Sequence, residues 1–575
     1  MQMPSSSFDS ISTCITFEEL FGKRATIESF RKFLSQFQRE KVVLATCIVN
    51  AFLDSWTGSI DADGHDALVQ GAFLPEDAQK LLQACKSSTP SRYVFHRQQV
   101  LLIAKEATLH CKDEGVDPLQ TPHWAGLGLA FLMASDLMDT VASDSRKNAP
   151  ENFLKLLGDS ILVGEFSGRY FLGNRVARSY LMLIRFFPTV AKDQLDIPKA
   201  FRKITGFDLQ TFMAVCIAIL TFYLTHTFAK LRTSPGVLLN DEFWSKVQLD
   251  KATLDNCLNE LAGTLDQIRA KFLERDKGLF DMTGFRTYPL VRHSTGGTYA
   301  PDLQLLSQKL ESGVFWKVHD SLSNKDLIHQ LWGQTFEKYV NWLIVEMVDD
   351  KINKFIPSPR FKKTGDQVCD GIIVCGHRII FLEYKGRTFR ADAKYSGDFE
   401  ILRKEIHTHL VGTAEKPKGV YQLSNAIKKV FDPKDPMEIE GLDLEGISKV
   451  FPVLLTRDDL GGTFGLCHYL NGELERLLYK RPYRPITITP LFALSIEGLE
   501  LISGYLKETA LSAALESWYE RDKGLYSSFT TELGFFTERL GDRRNLKLWS
   551  QFQELMDDAA HTLFDPKAVD QTSHV

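Results

Sequence analysis

Residues 368–386, VCDGIIVCGHRIIFLEYKG, set an Asp, a Glu and a Lys among residues that otherwise suit a buried β-hairpin. Val368–Cys375 and Arg378–Lys385 are rich in Ile, Val and Phe, and Gly376-His377 between them suits a two-residue hairpin loop with Gly at its first central position. With that loop Cys375 faces Arg378 and, counting back, Asp370 faces Glu383. Side chains alternate along a strand and directly opposed residues share a face, so Asp370, Glu383 and Lys385 are expected to converge.

Two adjacent carboxylates repel each other, and half-buried charge is costly without a partner. A divalent cation answers both costs. Hard oxygen donors suit Mg2+, with Mn2+ able to take its place, and these ions usually keep several waters while accepting one or two protein carboxylates. Lys385, two residues past Glu383, is placed to hold or help deprotonate an attacking water and to steady charge growing on a phosphate.

Asp370-Gly371 followed by Glu383-Tyr384-Lys385 resembles the PD-(D/E)XK core of restriction-endonuclease-like nucleases. The residue before the Asp is Pro in that family and Cys369 here, at a position that supplies no metal ligand. The resemblance covers roughly residues 330–505. It implies an α/β/α core in which Asp370 and Glu383 bind Mg2+, the Tyr384 carbonyl completes the shell and Lys385 positions water. It also implies a Glu from the preceding helix, and in LWGQTFEKYVNWLIVEM (331–347) Glu337 sits at the edge of the Phe336, Val340, Leu343, Met347 stripe. That position equally suits the solvated rim of an amphipathic helix. Gln422, in KGVYQLSNAIKKVF (418–431), matches a Gln that some branches aim at the site, and it equally suits an ordinary helix start.

Charge is distributed as a nucleic-acid partner requires. Residues 351–430 hold sixteen Lys and Arg against eight Asp and Glu, a local +8 in a chain of net −5. Lys362, Lys363, Arg387, Arg390 and Lys394 are the expected phosphate contacts, since basic groups bind polyanions by releasing counterions. DNA is expected over RNA, because most of the resembled superfamily cuts DNA.

Positioning these groups falls to elements on either side. After the hairpin come the helix at 418–431, a strand within GISKVFPVLLTRDD (446–459) and a strand then helix in 485–506, an order compatible with an α/β/α sandwich around a mixed sheet. Residues 16–280 read as mostly helical, opened by a capping box at Thr16–Glu19 before ELFGKRATIESFRKFLSQF. SDSRKNAPEN (143–152) reads as a loop, and GFRTYPLVRHSTGGTYAPDL (284–303), with its clustered Gly, Pro, Ser and Thr, as an interdomain linker. The expected architecture is therefore a multidomain α and α/β chain. A mostly helical region for recognition, regulation or assembly spans 1–300, the restriction-endonuclease-like core with mixed β-sheet spans 301–505, and a helical C-terminal extension spans 506–575.

Composition narrows the class further. The 575 residues are 44% hydrophobic and 25% charged, as in an ordinary globular protein. The nine cysteines are scattered without a CxxC pair, which argues against a disulfide framework or structural zinc and fits a reducing cytoplasm. No basic, apolar secretory leader opens the chain. LQTFMAVCIAILTFYLTHTFA (209–229) carries no formal charge over twenty-one residues, yet its Thr, Gln and His mark it as a core helix, with a membrane span as the alternative. No P-loop, HExxH or GxSxG is present, and Asp458-Asp459 reads as a solvated turn.

The function expected is Mg2+-dependent hydrolysis of phosphodiester bonds, with a restriction or antiphage role by analogy. The alternatives are a nuclease-fold binding or assembly module that no longer turns over, and a membrane-tethered nuclease. A homo-oligomer, or a protein partner engaged through the helical region, is compatible with either.

Overall fold

A helix that is apolar on all sides belongs inside a core. The computed structural model describes residues 14–53, 62–87, 92–120, 124, 126–146, 172–225, 234–274, 278–279, 281–390, 393, 399–457, 466–479, 486–521, 543 and 545–564. In it, α1 (Arg39–Leu53) and α2 (Arg97–His110) pack together, buried continuously from Val42 to Ala51 and from Arg97 to Thr108. The Arg97 guanidinium inside this packing is neutralised by the Asp302 carboxylate at 2.6 Å.

The capping box at Thr16 forms, with Thr16 Oγ1 accepting the Glu19 N–H at 3.3 Å. The stretch after it divides at Gly22, whose φ of 69° ends the first helix, and Thr26 caps a second helix, Ile27–Leu34. Residues 143–146, expected in a loop, instead end the helix Gly128–Arg146. Residues 147–152 lie outside the described residues.

Downstream, α3 (Leu172–Tyr180) and α4 (Leu209–Thr225) complete the helical layer. The uncharged 209–225 segment is a core helix, buried from Phe212 through Ile217 and at Ile219, Leu220 and Tyr223. Among the described residues no single helix is long and apolar enough to cross a membrane; one pair, Ile197–Thr205 with Leu209–Thr225, passes only as two segments bent by 78°.

The stretch expected to be a linker is folded. It contributes β2 (Leu290–Arg292) and β3 (Thr298–Tyr299), which with β1 (Ala262–Gly263) form a small three-stranded sheet. Leu290, Val291 and Tyr299 are wholly buried, and Tyr223 donates its hydroxyl to the Val237 carbonyl beside them. Its Gly and Ser residues serve a tight reversal inside the core, with φ of 98° and 82° at Gly296 and Gly297.

Two helices lead into the second sheet, α5 (Val314–Ser321) and α6 (Lys325–Val345). Asn324 caps α6 by accepting the Leu327 N–H at 3.3 Å, and the stripe Trp332, Phe336, Tyr339, Val340 and Leu343 is buried. The sheet runs β4 (Lys354–Pro357), β5 (Gly371–Cys375), β6 (Arg378–Lys385), β7 (Lys449–Thr456), β8 (Thr487–Ile488), with β9 (Phe492–Ser495) also on β7. Pairing is antiparallel from β4 to β6 and parallel from β6 onward. β7 is buried along nearly its whole length, as parallel strands covered on both faces are. Its Pro452 falls where the neighbour changes from β8 to β9, a position that asks for no ladder N–H.

Opposite faces of β6 meet different helices. Tyr384 reaches Asn341 of α6 at 3.2 Å, whereas Phe381 packs against Phe431, just beyond α7 (Gly419–Val430), with ring centroids 6.3 Å apart. The mixed sheet thus lies between helices, an α/β arrangement joined to a helical region. α8 (Leu466–Leu478) covers α7, and α9 (Ile496–Ile502) follows β9. The C-terminal helices divide their packing: α10 (Leu511–Arg521) lies on β6, while α11 (Leu546–Leu563) lies on α3 and α4. Trp518 of α10 is fully buried, as a core residue.

Candidate active site

Gly376 has φ of 60° and His377 does not have positive φ, the pattern of a II′ turn, so the hairpin closes with Cys375 opposite Arg378. The register continues unchanged to Gly371 opposite Leu382. There the ladder stops one residue short of the expected Asp370–Glu383 pair. Asp370 sits at a bend, its N–H donates to the Leu382 carbonyl at 3.0 Å, and its Oδ2 accepts the Tyr384 N–H at 2.6 Å. A short acidic side chain has taken a backbone donor from the sheet, as Asp does where strands end. Gly371 is required here, since a Cβ would stand 2.7 Å from the Tyr384 hydroxyl.

A residue's N–H and C=O leave a strand by the same edge. Tyr384 therefore presents its carbonyl on the side of Asp370, while the Lys385 carbonyl points the other way and accepts the Arg457 N–H at 3.0 Å. Glu383 and Lys385 share the α7 face. The Lys385 ammonium donates to Glu383 Oε1 at 2.6 Å and to Gln422 Oε1 of α7 at 3.0 Å. Gln422 is thus part of the site rather than only a helix start.

Glu337 belongs to the opposite helical layer and approaches past the end of β5. It is half-buried, and its Oε1 accepts the Ser358 hydroxyl at 3.1 Å. Ser358 has φ of 44°, a strained conformation for a residue other than Gly, of the kind that collects at functional sites. Sequence reasoning missed Ser358; the flanking Pro357 and Pro359 were the available signal of an unusual backbone. Gln367, also missed, donates to Asp370 Oδ1 at 3.2 Å.

The three carboxylates feel one another. Burial pushes Glu383 up to about 7; Lys385 draws it down, and Asp370 and Glu337 push it further up. Burial raises Asp370 against the pull of the Tyr384 N–H and Lys385. Glu337 is raised by burial and then by the Asp370 charge, with the Ser358 hydroxyl opposing.

Among the described residues no three His, Cys, Asp or Glu side chains are already gathered as a chelate. The donor set nevertheless fits Mg2+ or Mn2+, which need only one or two carboxylates together with a carbonyl and water. Asp370, Glu383 and the Tyr384 carbonyl would hold the ion, with Glu337 beside them, and a cation there would relieve the mutual repulsion that raises these groups.

The expected phosphate contacts are placed unevenly. Arg387 and Arg390 are exposed just beyond β6, with the Arg390 N–H donating to Glu405 at 3.3 Å. Lys362 and Lys363 are exposed on the loop between β4 and Asp370, but Lys362 is paired with Glu438 at 3.1 Å. Lys394, Asp458 and Asp459 lie outside the described residues.

Beside the site is a second charge cluster that sequence reasoning did not find. Arg178 of α3 donates to both carboxylate oxygens of Glu500 at 2.7 and 2.8 Å, to Glu497 at 3.2 Å and to Glu311 at 3.2 Å. Arg175 pairs with Glu497, Arg457 approaches Glu311 at 3.5 Å, and Tyr339 of α6 donates to Glu500 at 2.6 Å.

Compared with known proteins, the chain matches no family model, no curated protein and no solved structure.

Proposed function

We propose that this chain is a Mg2+-dependent nuclease that hydrolyses phosphodiester bonds, with DNA favoured over RNA. One observation carries the reading: an ammonium fixed between Glu383 and Gln422 at the rim of three mutually repelling carboxylates. The bound cation would polarise the scissile phosphate and lower the cost of activating water. Lys385 orients water for attack and stabilises charge on the phosphoryl oxygens; Gln422 keeps its amine aimed; Asp370, Glu383 and the Tyr384 carbonyl supply oxygen donors. Glu337, its carboxyl raised by burial, assists from the helix. A role in restriction or antiphage defence in the cytoplasm extends the resemblance by analogy.

Cleavage of plasmid, linear DNA and RNA by wild type and Lys385→Ala in Mg2+ tests this. The wild type should cut and the variant should be slower by about 10²–10⁴-fold. Equal cutting by both would assign the activity to a contaminant and overturn the proposal. Tight binding by wild type without any cutting would favour a nuclease fold retained for binding.

A further inference from the structure

We propose that Trp316, His319, His329 and Arg387 form a stacking subsite for an unpaired nucleotide beside the scissile phosphate, so that the substrate is single-stranded where it enters; this rests on the nuclease reading above. The antiparallel pair α5 and α6 gathers three rings at one corner. Centroids are 4.9 Å apart for Trp316 and His319, 5.9 Å for Trp316 and His329, and 5.0 Å for His319 and His329. Phe315 forms a floor, 5.4 Å from His329 and 5.0 Å from Trp332.

A single exposed aromatic residue needs no explanation. This one differs in its company. Trp316 is 40% exposed, the only exposed tryptophan among the described residues, whereas the Phe315, His319 and Trp332 that support it are buried. The Trp332 indole N–H, buried beneath, has no hydrogen-bond partner, and the Arg457 guanidinium lies 5.5 Å from the centre of that ring.

Basic charge meets this platform from the catalytic strand. Gly386 is pressed against Phe336 of α6, where a Cβ would stand 2.9 Å from the Phe336 side chain, so the chain leaving Lys385 runs along α6. Arg387 follows, exposed, and after burial its charge is the next cause that lowers the His329 pKa. Acidic groups face it too: Asp320, paired with His319 at 2.9 Å, Asp326, which pulls His329 the other way, and Glu405, which feels the Arg387 charge. His329 and Glu337 lie eight residues apart on α6, about 12 Å by helical rise.

An exposed indole beside an arginine and two imidazoles suits the face of a base with its phosphate. Bases inside a duplex have both faces covered by stacking, so the platform selects an unpaired one. Dry apolar docking of a protein would leave Arg387 and Asp320 without their water.

Binding of a fluorescein-labelled single strand and of its duplex, followed by anisotropy without added Mg2+ in the Lys385→Ala background so that cutting is suppressed, tests the assignment. Adding Trp316→Ala should weaken single-strand binding about tenfold, Trp316→Phe should recover most of it, and duplex affinity should not change. Arg387→Gln should flatten the salt dependence of single-strand binding by roughly 0.7 in log–log slope. Unchanged single-strand affinity in Trp316→Ala, or an equal loss on duplex, overturns the subsite. Trp316-dependent binding by a wild type that never cuts would sustain the subsite and remove the nuclease reading. Cutting lost in Lys385→Ala alongside normal binding in Trp316→Ala would do the reverse.

Discussion

Two buried charge clusters stand side by side in this molecule and are built to opposite rules. Around Arg178, three guanidinium groups (Arg175, Arg178, Arg457) meet three carboxylates (Glu311, Glu497, Glu500), and Arg178 is held well above its ordinary pKa by those acids despite its burial. Around Lys385, three carboxylates meet one ammonium. Burial pushes an acid up to about 7 in each, Glu500 in the first and Glu383 in the second, so what separates the two clusters is the number of cations that face the acids. The two are bonded to each other, since Arg457 gives its guanidinium to the first and its backbone N–H to Lys385 in the second.

The largest effect that sharpens the contrast is catalytic. Asp370→Asn keeps an acceptor for the Tyr384 N–H but removes a charge, and Mg2+-dependent cleavage should fall by roughly 10²–10⁴-fold with little change in melting temperature. A comparable loss of stability instead would mean that both clusters are structural.

Removing one member of the balanced cluster should do the opposite. Arg178→Ala strands Glu500 and Glu311 without their main partner and should cost about 3–5 kcal/mol in chemical denaturation. Retention of wild-type stability would show that the pairing adds nothing.

A third test reads the acid excess through pH. Burial pushes the Glu383 carboxyl up to about 7 in the metal-free fold, from an ordinary 4.5. An acid raised in the fold contributes stability that is full below its unfolded pKa and is lost as pH climbs through the folded value. Between those two values the wild type should lose roughly 3 kcal/mol relative to Glu383→Gln, and saturating Mg2+ should restore the wild type alone. Parallel melting curves across that range would remove the proposed charge deficit.

The smallest effect concerns orientation. Ser358→Ala deprives Glu337 of its hydroxyl partner, worth about 1 kcal/mol, and should slow cleavage a few-fold without altering the metal concentration needed. A loss as large as that of Asp370→Asn would move Ser358 into the chemistry itself.

What could be read from the chain before folding followed the range of the interactions. The hairpin was legible because its register is set by two adjacent residues, Gly376 and His377, and alternation carries that register five residues along β6, to Leu382. The place of Gln422 beside Lys385 was open, because thirty-seven residues separate them and a helix phase alone does not decide which side faces a sheet. The Arg178–Glu500 pair spans 322 residues, and nothing local marks either member. The segment 284–303 misled because a tight reversal within a core uses the same Gly, Ser and Pro as a flexible tether, and strands of two or three residues are too short to show alternation. At Asp370 the pattern gave the right neighbours and the wrong bond, since a carboxylate competing for a backbone N–H leaves no trace in periodicity.

The seat of α11 on α4 sets a timetable for synthesis. The most apolar helix among the described residues ends at Thr225, and a helix that shelters it begins about 320 residues later, at Leu546. At the usual 5–20 residues per second, roughly 15–60 s pass on the ribosome before that shelter exists. Throughout the interval the face of α4 that α11 will cover stays open, an oily surface of the kind that aggregates from incomplete chains.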